Sequence, residues 1–180
     1  LDRYGRELSF CQIQLNYLDW TFQSAREKYE LLTSRGIPVW VMEPVRGGRL
    51  ARLDAAGEEA LRALNPRRSP SEWAFRFVQD LPNVHVVLSG MSDMAQLSEN
   101  IKTFSEPQPL TDAEREALLA LGERMKNTVP CTACRYCVDG CPAGLDIPVL
   151  LAAYNAFRLS SSEAERIEAL PADKQPSACV

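Results

Sequence analysis

Four of the chain's six cysteines stand at Cys131, Cys134, Cys137 and Cys141, with Pro142 directly after the last. A run spaced like this one, CTACRYCVDGCP, must fold as a tight loop if its sulfurs are to reach one small object from several sides. It is the spacing with which proteins hold a 4Fe-4S cluster, the proline turning the chain away behind the fourth ligand. Two other chemistries use clustered cysteines. A structural zinc site usually takes two separated C-x2-C pairs, so that the ligands arrive tetrahedrally from two knuckles. A disulfide framework suits short, core-poor secreted chains. With 180 residues and 46% apolar content, this chain is neither short nor core-poor. The cysteines are therefore read as cluster ligands in a reducing, cytoplasmic compartment.

The net charge of -4 comes from interspersed acidic and basic residues, which leaves no basic stripe for nucleic acid and no polybasic run for a membrane surface. No apolar stretch approaches the roughly 20 residues of a spanning helix, and no charged start followed by a short apolar run marks a signal peptide. The chain opens on Leu1 and not Met, so an N-terminal portion is expected to be missing.

Before the cysteine loop, strand and helix patterns alternate. Phe10 to Tyr17 has the period-2 pattern of a strand, and residues 21 to 35 carry Phe22, Ala25, Tyr29 and Leu32 at helical spacing before Gly36. Ile37 to Met42 reads as a strand buried on both faces, ended by Gly47-Gly48. A short helix is expected at 57 to 64. Ser69, Pro70 and Glu72 then open a second helix through Val78 with a cap, a first-turn proline and a capping box. Val84 to Leu88 reads as another buried strand, and Ser92 as the cap of a helix to Ile101. This order predicts parallel strands joined by right-handed crossovers. Pro107 to Leu110 reads as a linker, Thr111 and Glu114 as a capping box opening a helix to about Lys126, and 147 to 158 and 161 to 169 as two further helices. Cys11 reads as a buried apolar residue within its strand.

In sequence order, CQIQLNYLD, VMEPVRGGRLA, SPSEWAFRFV, VVLSGMSDMAQLSENI and the cysteine motif resemble the iron-sulfur branch of the aldo/keto reductases. The resemblance implies an α/β fold: the last three strand-helix units of a (β/α)8 TIM barrel over residues 1 to 106, then a mainly helical ferredoxin-like 4Fe-4S domain over 107 to 180, truncated at its C-terminus. It also implies that the chain is the C-terminal half of a larger oxidoreductase. The family's catalytic tetrad of Asp, Tyr, Lys and His sits on the first four strands, so no catalytic residue is expected here. The single histidine, His85, lies inside the last strand and is given a structural role, since barrel chemistry sits at strand C-terminal ends.

What the resemblance assigns to this chain is the nicotinamide cofactor half of the site. Gln12 matches the glutamine that hydrogen-bonds the carboxamide. Met42 falls where many members stack a tyrosine on the nicotinamide ring; its thioether suits a ring face or plain core filling equally. Gly47 and Gly48 would let backbone N–H groups approach a pyrophosphate, or they form a plain turn. Glu99 and Asn100 match the family's adenine-contacting pair. Gly90 and Gln96 replace the lysine and arginine that hold the 2'-phosphate in NADP-preferring members, which implies NADH.

The expected activity is hydride transfer between a nicotinamide cofactor and a small carbonyl or alcohol, with 4Fe-4S clusters passing single electrons to or from a redox partner. The rival is a non-enzymatic electron-transfer or structural iron-sulfur module on a degenerate barrel. Cys179 reads as the start of a second cysteine motif, or as an incidental tail residue. In the first case two clusters are expected, with Cys131, Cys134 and Cys137 on one and Cys141 reaching across to the other.

Overall fold

The structure is a computed structural model that describes the chain apart from residues 3, 4, 127, 128, 130, 132, 160–170, 176 and 178–180. The helix expected at 161 to 169 and Cys179 thus lie outside the described residues. The chain divides into two compact units, Leu1–Met125 and Lys126–Val180.

The first unit is built on a three-stranded parallel sheet of β1 (Cys11–Gln14), β2 (Val39–Met42) and β3 (Val84–Val87), in that order. Its pairing runs from Cys11 opposite Val39 to Gln14 opposite Met42, then from Val39 opposite Val84 to Val41 opposite Val87. An irregularity after Val39 sets Trp40 against Val86, so His85 drops out of the ladder as a bulge and its side chain is exposed.

Alternation along the strands gives the sheet two faces. Cys11, Ile13, Val39, Val41, Val84 and Val87 join the apolar cluster built with the helices, whose centre holds Leu15, Tyr17, Trp73 and Phe77. Gln12, Gln14, Trp40 and Met42 occupy the opposite, half-exposed face, where Phe10 stacks on Trp40 with ring centroids 3.8 Å apart. This corrects the reading of strands buried on both faces. Only β2 has two neighbours, and even there burial alternates; in the edge strand β3, Val84, Val86 and Val87 are half-buried. Cys11 is likewise half-buried, because its strand is the other edge.

The helix expected at 21 to 35 is two helices, α1 (Asp19–Phe22) and α2 (Ala25–Ser34), divided at Ser24 by a left-handed backbone (φ 52°). α3 (Ala55–Leu64) is capped by Asp54, which accepts from the Gly57 N–H, and α4 (Pro70–Gln79) by Ser69, which accepts from the Glu72 N–H as read from its SPSE run. α5 (Met94–Ser105) is capped by Asp93 and not Ser92; the Ser92 N–H and hydroxyl turn instead to Gln96 Oε1. α6 (Asp112–Met125) opens with a reciprocal box: the Thr111 N–H donates to Glu114 Oε2 and the Glu114 N–H to Thr111 Oγ1.

α6 belongs to the first unit, packing on α1 and α3. The segment Pro107 to Leu110 therefore lies within that unit, with Leu110 in its core. The approach of α6 is close at Gly122, where an added Cβ would lie 2.7 Å from the Tyr17 carbonyl oxygen. In the second unit the described helices are α7 (Tyr136–Asp139), inside the cysteine loop, and α8 (Ile147–Leu159). No helix among the described residues is long and apolar enough to cross a membrane.

Candidate functional site

In a parallel sheet with crossover helices the loops leaving the strand C-terminal ends converge on one side, which is where such folds bind small molecules. Here those ends enclose a cleft of about 620 Å³. Its walls come from the turn after β2 (Met42, Glu43, Gly47, Gly48), the segment after β3 (Leu88 to Ser92), the start of α4 (Ser71, Phe75) and the first turns of α5 (Gln96, Glu99, Asn100). Of the cofactor residues read from the sequence, Met42, Gly48, Glu99 and Asn100 all line this cleft, and so do Gly90 and Gln96. Gln12 lies outside the lining. It sits two residues short of the end of β1, and its Nε2 donates to the Met42 sulfur at 3.3 Å.

The polar side chains of the cleft are held in place. Glu99 accepts from the hydroxyls of Ser69 and Ser71, the second at 3.2 Å, so the N-terminus of α4 fixes a carboxylate carried by α5. Asn100 Nδ2 donates to Ser89 Oγ at 3.1 Å. Gln96 is turned into the cap of its own helix by Ser92. Among the described residues two carboxylates, Glu43 and Glu99, line the cleft, and no lysine or arginine does. Gly48 has φ 83°, and a Cβ there would meet nothing within 4 Å. Glycine is thus required by backbone conformation and leaves the cleft wall open at that point.

Beneath the turn after β2 lies a buried polar network that the sequence reading missed. Asp19 and Arg46 are 0% and 1% exposed, and Arg46 Nε donates to Asp19 Oδ1 at 3.1 Å and Oδ2 at 3.0 Å. Gln14 Nε2 and Asn16 Nδ2 each donate to Asp19 Oδ2 at 2.7 Å. Asn16 Nδ2 also donates to the Glu43 carbonyl at 2.9 Å, while its Oδ1 accepts from the backbone N–H groups of Leu18 and Asp19. The guanidinium carbon lies 5.6 Å from the centre of the Phe22 ring. One local signal was available, an asparagine three residues before an aspartate at the start of a helix, but nothing local points from Asp19 to Arg46.

In the second unit, Cys134 and Cys137 are exposed and Cys131 and Cys141 half-buried; Cys131, Cys137 and Cys141 are free thiols. Left-handed backbone at Ala133 (φ 56°) and Arg135 (φ 65°) curls the loop. The Ala133 N–H donates to Cys131 Sγ and the Leu145 N–H to Cys141 Sγ, each at 3.4 Å. Arg135 pairs with Asp146 through both terminal nitrogens, at 3.3 and 3.1 Å. The donors fit an iron-sulfur cluster chemically. The expected convergence of three sulfurs is not seen: among the described residues no group of three or more His, Cys, Asp or Glu side chains is placed to hold a metal ion.

A parallel sheet, crossover helices and a cleft at the strand C-terminal ends make the first unit an α/β fold. Among solved structures the chain is similar to the aldo-keto reductase AKR11C1 from Bacillus halodurans. The apo form has a TM-score of 0.53 and 22% identity, with 67% of this chain and 46% of that one covered. The holo form has a TM-score of 0.52 and 25% identity, covering 67% and 45%. The chain spans under half the length of these structures. No protein-family model and no curated protein matches it.

Proposed function

We propose that the chain is the nicotinamide-binding part of an iron-sulfur aldo/keto reductase, an oxidoreductase acting on a small carbonyl or alcohol. The observation that carries this reading is the cleft, which gathers residues from three separate stretches of sequence, Met42 with Gly48, Gly90, and Glu99 with Asn100. When bound, the nicotinamide supplies hydride chemistry and the clusters supply single electrons. The residues of this chain hold and orient: Glu99 and Asn100 present anchored polar groups to an adenine, the Gly47 and Gly48 backbone admits a diphosphate, and Met42 offers a thioether to the ring. Gln12 reaches the carboxamide if its amide leaves the Met42 sulfur. A cleft lined by two carboxylates and no cation disfavours an additional phosphate, which supports NADH over NADPH. Cys131, Cys134, Cys137 and Cys141 are the proposed cluster ligands, by donor chemistry and spacing.

Titration of the chain with NADH and NADPH tests the nucleotide reading. Tighter NADH binding that weakens on Glu99→Ala is expected, and a chain that binds neither nucleotide rejects the reading. Iron and acid-labile sulfide, measured after anaerobic purification, test the cluster; stoichiometric zinc in colourless protein after reconstitution would reject it. Among the described residues the cleft lining includes no Tyr, Lys or His able to act as a proton donor, so the proposed carbonyl chemistry is assigned to residues outside this cleft. Carbonyl turnover by this chain alone would overturn the assignment of the chemistry to other residues.

A further inference from the structure

The Asp19–Arg46 pair plays no part in the binding roles assigned above, yet it sits under the turn that carries Gly47 and Gly48. That turn is unusual in its backbone. Glu43 (φ 58°), Arg46 (φ 51°), Gly47 (φ 60°) and Gly48 (φ 83°) all lie in the left-handed region, and two of the four are not glycine. Each non-glycine residue held there costs on the order of 1 kcal/mol or more, so such a turn persists only where its surroundings impose it. Here both flanks of the strained stretch are tied to the segment that joins β1 to α1: Glu43 through its carbonyl to Asn16, and Arg46 through its side chain to Asp19, the first residue of α1. Asn16 and Asp19 are themselves joined, so the two ties form one unit.

We propose that Asp19, Arg46 and Asn16 are positioning residues that hold the 43–48 turn in its left-handed form and thereby present the Gly47 and Gly48 backbone to a diphosphate. The inference rests on the nucleotide reading of the cleft and adds to it the device that sets its diphosphate-binding wall. Among the described residues neither the Gly47 nor the Gly48 N–H takes part in a hydrogen bond, whereas the N–H groups of Arg46, Leu50 and Ala51 are each used inside the turn. A buried ion pair is weak evidence for stability, since apolar residues of similar volume often do as well. Its value is geometric: the Arg46 Nε–H is shared between both oxygens of one carboxylate, which fixes the guanidinium over Asp19 at a reach and in a plane that the flexible ammonium of lysine does not reproduce.

The test separates the turn from the rest of the cleft. NADH, which carries a diphosphate, and adenosine, which does not, are titrated against the wild-type chain, Arg46→Lys and the isosteric Asp19→Asn, with circular dichroism confirming that each is folded. Adenosine reports on Glu99 and Asn100, carried by α5 and held by Ser69, Ser71 and Ser89 away from the ion pair. The expected result is NADH affinity lowered about tenfold or more in either folded variant, with adenosine affinity unchanged. If Arg46→Lys does not fold, Asp19→Asn decides alone. Equal loss of both ligands, or no loss of NADH affinity, would overturn the positioning role while leaving the nucleotide reading intact. A wild-type chain that binds adenosine but not NADH overturns both together.

Discussion

In the Leu1–Met125 unit a continuous apolar cluster runs from Leu15 to Leu121 and takes in Trp73 and Phe77 of α4, and side chains cap α3, α4, α5 and α6. In the Lys126–Val180 unit the buried residues among those described are Leu145 and Pro148, and the cysteine loop is polar and largely exposed. The first unit follows from periodicity and burial. Among its described residues the second carries α8 as a helix of ordinary length and a loop bent by two left-handed residues. The contrast teaches that the two units depend on different kinds of interaction. Buried apolar area and a polar network hold the first; thiolate chemistry is what the second has available, as in small domains whose folding is coupled to a metal site.

The largest expected effect breaks the comparison if it fails. Cys134→Ser combined with Cys137→Ser should abolish iron incorporation and loosen the Lys126–Val180 unit. NADH binding and the melting of the first unit should stay as they were. Cluster analysis alongside calorimetry checks both halves, and a common loss in the two units would show that they are not independently stabilised.

Arg46→Ala comes next. It leaves the Asp19 carboxylate buried without its cation and should destabilise the first unit by about 3–5 kcal/mol, read by denaturant unfolding, with the iron content unchanged. Gly122→Ala should destabilise it by about 1–3 kcal/mol, because a Cβ placed 2.7 Å from the Tyr17 carbonyl oxygen must push α6 away from the chain it rests on. A neutral result there would mean that α6 is less tightly docked than its core residues Leu118 and Leu121 imply.

The smallest effect concerns Tyr17, fully buried with its hydroxyl lacking a partner among the described residues. Burial pushes its phenol well above the ordinary 10.0. The folded state therefore holds the proton more firmly than the unfolded one, and stability that is complete below pH 10 declines as the pH rises past it. Tyr17→Phe should flatten this alkaline decline and change neutral stability by no more than about 1 kcal/mol. Parallel pH titrations of unfolding for the two proteins measure it.

Much of the first unit was legible because its signals are local. The SPSE run gave the α4 cap, and TDAE gave the box that opens α6. The alternating run from Phe10 and the two continuous Val-rich runs gave the three parallel strands. The break at Ser24 was hidden because Phe22 and Ala25 keep helical spacing across it, and a left-handed serine leaves no mark in composition. The Asp19–Arg46 pair joins positions 27 residues apart, and left-handed backbone at Glu43 and Arg46 is what sequence rules assign to glycine. For the site, the resemblance supplied the residues and the strand order supplied the reason they meet: crossovers bring the ends of β2 and β3 to the same side as the start of α5. Gln12 is displaced from the cleft lining because it lies below the end of its strand, a matter of two residues that pattern alone does not settle.

The sheet order has a consequence for association. β1 and β3 each keep one flank unpaired among the described residues, and in the closed barrel proposed for the whole protein these are the two flanks that further strands would pair. Both edge strands are only 4 residues long, and the His85 bulge interrupts the ladder on one side. The isolated chain therefore exposes two short flanks that closure of a barrel would cover.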